Sequence, residues 1–410
     1  MKQYTVLKGD TFDLISRKVY GQEKDASLIA ISNPGIVEPL TAGISIIIPT
    51  NPNLPAAKVL SVDSTNENET AILIDGKRFR FWETVSFSRQ IDTIDTIEFT
   101  APFNVDQIEF RDAFRPFTYK AVDLFIGGIK LFTGTMLSPV PNLTPTSSKI
   151  TVQCYSRPGV LMDCSSPASA FPLEFNDQKL EEIAAKIVKP FGLSVEFLAD
   201  SGAIFEQVAA KPEKKPFEFL SGLAQKRNLV ISNTSEGKLL FWRSVPAGSP
   251  VAKLEQGQSP VISVDPTFKP QEFFSSITGI EPASIGFAGG KYTVKNDNLP
   301  DVIRPLTFEL ADTQNADLKN SVEAKTGRMY GNAANWAANL STWRNPNKNL
   351  WEPNTTIILK APNAMIYTDF EFLIRSVNFS KDGSSERATL NLVLPGSFEG
   401  KIPKVLPWVG

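Results

Sequence analysis

Side chains able to do chemistry are unevenly represented in this chain of 410 residues, beginning with histidine, of which there is none. That absence removes Ser-His-Asp and Cys-His nucleophilic catalysis, HExxH zinc sites, His-ligated deaminase sites and most proton shuttling near neutral pH. Carboxylates remain. Forty-four Asp and Glu would allow hydrolysis of a glycan by a pair of acids, but no pair stands in a recognisable acid-and-base motif. The two cysteines, Cys154 and Cys164, fit no zinc spacing and make no disulfide framework. They read as one buried apolar thiol in a strand and one in a loop. No catalytic residue, metal site or cofactor is expected. The basic run Lys211-Pro212-Glu213-Lys214-Lys215 reads as a solvated loop. A net charge of −2 gives no general attraction for nucleic acid or an anionic membrane. No apolar stretch approaches the roughly 20 residues of a membrane span, and the first residues lack a secretory signal. Synthesis in a cytoplasm without membrane insertion is the expectation. At this size the chain can bury a core without disulfides or metals.

The elements that hold these residues begin with a unit of about fifty. Tyr4-Thr5-Val6 reads as a strand, Gly9-Asp10-Thr11 as a turn, and Asp10 or Thr11 as the cap of a helix. Phe12, Ile15 and Val19 share one helical face, and Gly21 is a C-terminal stop. A second helix covers Ala26 to Ser32 and ends at Asn33-Pro34-Gly35; Gly43 and Ile44 to Pro49 then form a turn and a closing strand. Both turns are also what any tight strand-to-helix step and helix stop require.

This order resembles a LysM domain, on Tyr4-Thr5-Val6, Gly9-Asp10-Thr11, Ile15, Tyr20-Gly21, Asn33-Pro34, Leu40, Gly43 and Ile48-Pro49. Phe12 stands where the family usually has Leu. The resemblance implies a groove for N-acetylglucosamine chains or for a docking protein, with Gly9, Asp10, Thr11 and Phe12 facing Asn33, Pro34, Gly35 and Ile36. Residues 51–57, with Pro52 and Pro55, read as an extended linker.

From Lys58 to Tyr155 the chain offers short alternating runs, with Asp75-Gly76 and Gly127-Gly128 as hairpin turns. That spacing suggests a small barrel or sandwich. Between 156 and 228 the pattern becomes α/β. Asn176 or Asp177 would cap a helix whose Leu180, Ile183, Ala184, Ile187 and Val188 form one apolar face, and a second helix starts at Pro216. Strands return after Pro246. A helix is expected over 316–342, with a stripe of Leu318, Val322, Met329, Ala333, Trp336, Leu340 and Trp343; Gly327 and Gly331 within it mark close packing or a bend. Strands from Thr355 to Leu394 follow.

A second resemblance rests on Tyr155 to Cys164, Leu180-Glu181-Glu182-Ile183-Ala184, Pro190-Phe191-Gly192-Leu193, the 316–342 segment, Asn349 to Asn354 and Phe372 to Val377. Over residues 58–400 the chain is similar to the baseplate hub proteins of contractile-tailed bacteriophages such as Mu. The resemblance implies a homotrimer in a virion tail baseplate, made in the host bacterial cytoplasm. Two related barrels per chain would form a pseudo-sixfold ring between the tail tube protein and the central spike protein. Wedge proteins, the tape measure protein and peptidoglycan are the further implied partners.

The expected fold class is therefore mainly β with α+β parts: a βααβ LysM unit, then two β-barrel domains, each interrupted by a helix-containing insert. The expected boundaries are 1–50 for the LysM domain, 51–57 for the linker, and 58–155 for the first barrel, completed by 229–250. The α/β insert takes 156–228. The second barrel takes 251–310 and 355–400 around a long-helix insert at 311–354, with a tail at 401–410. A different class of function is a LysM-anchored peptidoglycan-binding protein or muramidase. The strand-rich duplicated body argues against it.

Overall fold

Local turn chemistry shapes the N-terminal unit. In the computed structural model the strand Lys2–Thr5 pairs antiparallel with Ser45–Ile48, and helices Phe12–Tyr20 and Ala26–Ile31 lie between them in sequence. Val6, Phe12, Ile15, Ile29, Leu40, Ile46 and Ile48 form its core. The structure describes residues 2–7, 9–20, 26–31, 33, 36, 38–48, 66–144, 147–246, 248–281, 289–310, 315–383, 385–400 and 405–409. Gly21, Pro34, Gly35, Pro49 and the 51–57 linker lie outside them, as does the side chain of Val19. The chain divides into two units, 1–63 and 64–410.

The second unit is built on one thirteen-stranded sheet. Its path runs from Val261–Phe268 through Ala334–Leu340, Ser385–Val393 and Ile366–Asp382 to Thr84–Gln90. It continues through Thr96–Pro102, Ser147–Ser156, Ile129–Thr144, Ala121–Ile126 and Thr70–Ile74 to Lys77–Phe79. Thr356–Ala361 and Lys253–Glu255 join beside Ile366–Asp382. The two β regions read from the sequence are thus hydrogen-bonded to each other, Thr84–Gln90 against Ile366–Asp382 with Phe87 opposite Phe379. Alternation supplies the core: Val85 and Phe87, Ile97 and Phe99, Val152 and Cys154, Leu390 and Leu392 all turn inward.

Three sequence expectations are corrected. Residues 229–250 do not complete the first barrel. Val230–Asn233 and Leu239–Trp242 pair with each other, and the latter pairs parallel with Val195–Phe197, so Ile231, Leu239 and Phe241 bury against the insert's own helices Leu180–Val188 and Pro216–Lys226. Strand alternation shows that a face is buried, not which sheet buries it. The helix expected over 316–342 ends at Ala333, and Ala334–Leu340 is a strand. Trp336 and Leu340 lie four apart, a spacing that fits one helix face and one strand face equally; Ala338, buried between them, and Ala334, buried two residues before Trp336, decide for period two. Strands within 272–310 do not belong to the main sheet. Ser276–Ile280 lies between Lys291–Lys295 and Pro305–Glu309 in a separate sheet that packs on the helix Asn315–Ala333. A Cβ on Gly279 would lie 2.7 Å from side-chain atoms of both Leu310 and Val322, so the missing side chain permits that approach. Gly327 serves the same end on the helix, facing the Ser397 carbonyl.

Helix caps also differ from expectation. Lys179, not Asn176 or Asp177, precedes the helix at Leu180, and its amide donates to Glu182 Oε2 at 2.9 Å. Asn176 and Asp177 lie in the strand Glu174–Gln178.

Candidate functional site

Residues of the expected N-terminal groove divide into structural and accessible ones. Gly9 is exposed with φ +89°, a turn conformation suited to glycine. Asp10 is 5 % exposed. Its carboxylate accepts from the Leu7 amide at 2.9 Å, the Tyr4 hydroxyl at 2.8 Å and Lys18 Nζ at 2.6 Å, and Thr11, not Asp10, caps the helix by accepting from the Leu14 amide at 3.2 Å. Phe12 is core. Asn33 is buried and ties the second helix to the closing strand: Nδ2 donates to the Ile29 and Ile47 carbonyls at 2.7 Å each, and Oδ1 accepts from the Ile47 amide at 2.6 Å. Ile36 is half-buried against the same core. Pro34 and Gly35 lie outside the described residues.

Sequence reasoning missed Glu38. Its Oε1 accepts from the Phe12 amide at 2.5 Å, bringing the loop after the second helix to the first helix's N-terminus, where a carboxylate satisfies a donor that the helix cannot. The signal was an acid facing a helix start 26 residues away, which no local pattern reveals. The polar atoms of Asp10 and Asn33 are consumed inside the unit. Among the described residues, Leu7, Gly9, Asp13 and Leu14 are exposed around the turn and the start of the helix.

This geometry fixes an acid response. The hydrogen bond from Lys18, assisted by those from Leu7 and Tyr4, holds the Asp10 carboxyl below its ordinary 3.8 against the opposing effect of burial. A depressed folded pKa contributes stability that is present above the unfolded value and lost as pH falls through the folded one. Hydrogen exchange in the full chain should show the Leu7 amide protected down to the ordinary carboxylate range and exposed progressively below it. Asp10→Asn should flatten that dependence; an unchanged profile would refute the assignment.

A second cluster joins the insert to the main sheet. Asp95, 1 % exposed, accepts from Arg89 Nε and Asn233 Nδ2, each at 3.1 Å, and its amide donates to Asn233 Oδ1 at 2.7 Å. Nearby, Arg375 donates to Asp92 at 3.2 Å and to Asn332 at 3.1 Å. Asp92, Ser221, Gln225 and Arg328 line a polar cavity of about 180 Å³, and burial lowers the Arg328 pKa. These pairs are structural clamps, since each acid already has a cation beside it.

Two free edges bear prolines. In the ladder Ile129–Thr144 with Ser147–Ser156, Pro139 and Pro141 lie opposite Val152 and Ile150; in Val261–Phe268, Pro266 lies opposite Trp336. A paired proline must turn its nitrogen away from its partner, so these outer edges lack donors where a further strand would need them. Among the described residues no cluster of three His, Cys, Asp or Glu could hold a metal, and no helix is long and apolar enough to cross a membrane.

Residues 158–243 match a family described as baseplate hub protein gp44-like, second domain. The match ends where the structure, not the sequence reading, closes the insert. Over 344 residues the chain is 25% identical to baseplate hub protein gp44 of Escherichia phage Mu, covering 79% of this chain and 87% of that protein. Among solved structures, the 43 kDa tail protein of prophage MuSo2 from Shewanella oneidensis has a TM-score of 0.67 at 24% identity, covering 80% of this chain and 99% of that one. The tail protein from Neisseria meningitidis MC58 has a TM-score of 0.68 at 18% identity, covering 82% and 99%. The fold is that of these phage tail proteins, and the resemblance to baseplate hub proteins read from the sequence is borne out. The tail baseplate location expected from that resemblance agrees with them.

Proposed function

We propose that the chain is a structural hub subunit of a contractile phage tail baseplate, three copies of which form a pseudo-sixfold ring between the sixfold tail tube and the threefold central spike. The observation that supports this most directly is the joining of two β regions in one sheet, through Thr84–Gln90 and Ile366–Asp382. A subunit with two such regions presents six positions in a trimer, which is what matching a sixfold tube to a threefold spike requires. Prolines on the free edges at 139, 141 and 266 favour interfaces made by side chains over added strands. Interfaces of this kind would be obligate, large and apolar.

The N-terminal unit is read as a LysM-type clamp for a neighbouring baseplate protein rather than a reader of peptidoglycan. Asp10 and Asn33 spend their polar atoms internally, and leucines flank the turn. Wedge and tape measure proteins are the candidate neighbours. No catalytic role is assigned.

Native mass of the purified protein, with electron-microscopic class averages from the same fraction, tests the reading. A threefold ring with a central channel and six lobes is expected. A monomer that sediments with purified cell walls and releases soluble glycan would overturn the hub in favour of a LysM-anchored muramidase.

A further inference from the structure

We propose that the polar cavity between the insert and the rest of the second unit binds a small tetrahedral oxyanion of the phosphate class, held by the Arg328 guanidinium with Ser221 and Gln225 as further donors. The site goes beyond the hub reading and does not depend on it.

Distant parts of the chain build the cavity. Ser221, Ala224 and Gln225 come from the helix Pro216–Lys226, Leu229 and Ile231 from the turn and strand after it, Asp92 from the turn after Thr84–Gln90, and Arg328 from the helix Asn315–Ala333. Ser221 and Gln225 stand one helical turn apart and so share a face. Ala224, Leu229 and Ile231 are buried, whereas Asp92, Ser221, Gln225 and Arg328 are half-buried. The cavity therefore has an apolar floor and a polar wall that reaches solvent, through which an ion can enter.

Its charges do not balance. Asp92 is already spent: Oδ1 accepts from Gln90 Nε2 at 2.8 Å, and Oδ2 accepts from Arg375 Nη2 at 3.2 Å. Arg375 is fixed again by Asn332 Oδ1, which accepts from Nη1 at 3.1 Å, and by the Phe398 ring, whose centroid is 5.3 Å from its guanidinium carbon. The buried Nε of Arg375 has no hydrogen-bond partner. Arg328 makes neither a hydrogen bond nor an ion pair among the described residues, and the charges that act on it are those of Asp92 and Arg375. Two guanidinium groups thus stand against one carboxylate, and the uncompensated one is Arg328.

Withdrawing a cation from bulk water costs free energy unless something pairs with it, and arginine titrates too high to shed its proton. Water can satisfy its donors but not its charge; an anion does both. Size and shape select the anion. A cavity of about 180 Å³ falls below the roughly 300 Å³ at which pockets for drug-sized ligands begin, so it has no room for a nucleotide or a sugar chain. The planar guanidinium presents paired N–H donors that match two oxygens of one phosphate. The Ser221 hydroxyl and the Gln225 amide, which make no side-chain hydrogen bonds among the described residues, serve the remaining oxygens. Bound there, the ion would tie the helix Pro216–Lys226 to the helix Asn315–Ala333.

Inorganic phosphate is the probe, added to the full chain and compared with chloride at matched ionic strength. Calorimetric titration should show saturable phosphate binding. Phosphate should also slow exchange at the Leu229 amide, which donates to the Ala224 carbonyl at 2.8 Å in the cavity wall. Because phosphate strengthens burial in any protein, the deciding comparison is with Arg328→Gln, which shares that general effect. This variant should bind phosphate at least about tenfold more weakly, the loss of one charge-assisted hydrogen bond. In chloride alone it should be no less stable than the parent, since it removes an unpaired charge. Arg328→Lys, which keeps the charge without the fork, should recover part of the affinity, and Ser221→Ala should weaken binding by a smaller factor. Absence of saturable binding to the parent, or equal binding by parent and Arg328→Gln, would overturn the site. A marked loss of stability for Arg328→Gln in chloride would do so too, because it would show that the chain itself already pairs with Arg328.

Discussion

Asp95→Ala is expected to destabilise the second unit by about 3 kcal/mol, the low end for removing one partner of a buried ion pair because Arg89 keeps some access to water. Asp95 is 1 % exposed and Arg89 is 24 % exposed at the side chain. The substitution leaves the Arg89 guanidinium with the Leu131 carbonyl alone and the Asn233 amide with the Thr234 carbonyl. Backbone bonds survive: the Asp95 amide still donates to Asn233 Oδ1, and its carbonyl still accepts from the Ser156 amide. The loss should therefore fall on the junction, seen as faster hydrogen exchange in Val230–Asn233 and a lower urea midpoint. Asp95→Asn, which keeps the shape but not the charge, should cost less. Burial pushes the Asp95 carboxyl above its ordinary 3.8, outweighing the pull of Arg89. A raised folded pKa means that the folded state holds the proton more tightly, so stability falls as pH rises from the ordinary carboxylate range through the folded pKa. That dependence is opposite in sign to that of Asp10, and it should vanish in the alanine variant. A loss below about 1 kcal/mol, the range of an exposed pair, would reduce the clamp to a surface contact.

Legibility followed the range of the interactions. Asp75, Gly76, Gly127 and Gly128 all adopt left-handed backbone, as the hairpin turns read from those dipeptides require. The helix face of Leu180, Ile183, Ala184, Ile187 and Val188 is wholly buried, because five apolar residues at helical spacing admit one solution. Where two periods coincide, as at Trp336 and Leu340, the pattern was ambiguous. Where sheet membership depends on a distant partner, it was silent: Leu239 pairs with Val195, and Thr84–Gln90 finds Ile366–Asp382 at the far end of the chain. The clamps share that character. Asp95 and Asn233 are 138 residues apart, and Asp92 and Arg375 are 283 apart, so neither acid differs in sequence from a solvated surface carboxylate. In the N-terminal unit Asp10 and Asn33 are spent on the unit's own backbone. A turn residue able to bind a ligand and one able to bind its own chain are the same residue type, and burial decides between them.

Trp336→Ala should cost about 3–5 kcal/mol, the range for emptying a buried aromatic site. The side chain is fully buried. Its ring meets Phe372 at 4.8 Å and Phe268 at 5.8 Å between centroids, and Nε1 donates to the Ala364 carbonyl at 2.9 Å. The site cannot close easily, because its neighbours come from separate strands held in register: Phe268 lies beyond one edge of Ala334–Leu340, and Phe372 belongs to Ile366–Asp382. Phe268, Ala334 and Trp408 also line an apolar cavity of about 490 Å³, so the vacated space would join an existing one instead of being filled. Trp336→Phe keeps most of the ring and forfeits the indole hydrogen bond, at about 1–2 kcal/mol. Thermal or urea unfolding of the full chain separates the two variants, and the Leu7 amide serves as an internal control because Trp336 lies outside the N-terminal core. Ala337, which alternation turns to the opposite face, should tolerate Ala337→Ser at less than about 0.5 kcal/mol. Equal losses at 336 and 337 would contradict the strand, because only a period of two makes neighbouring positions face opposite ways.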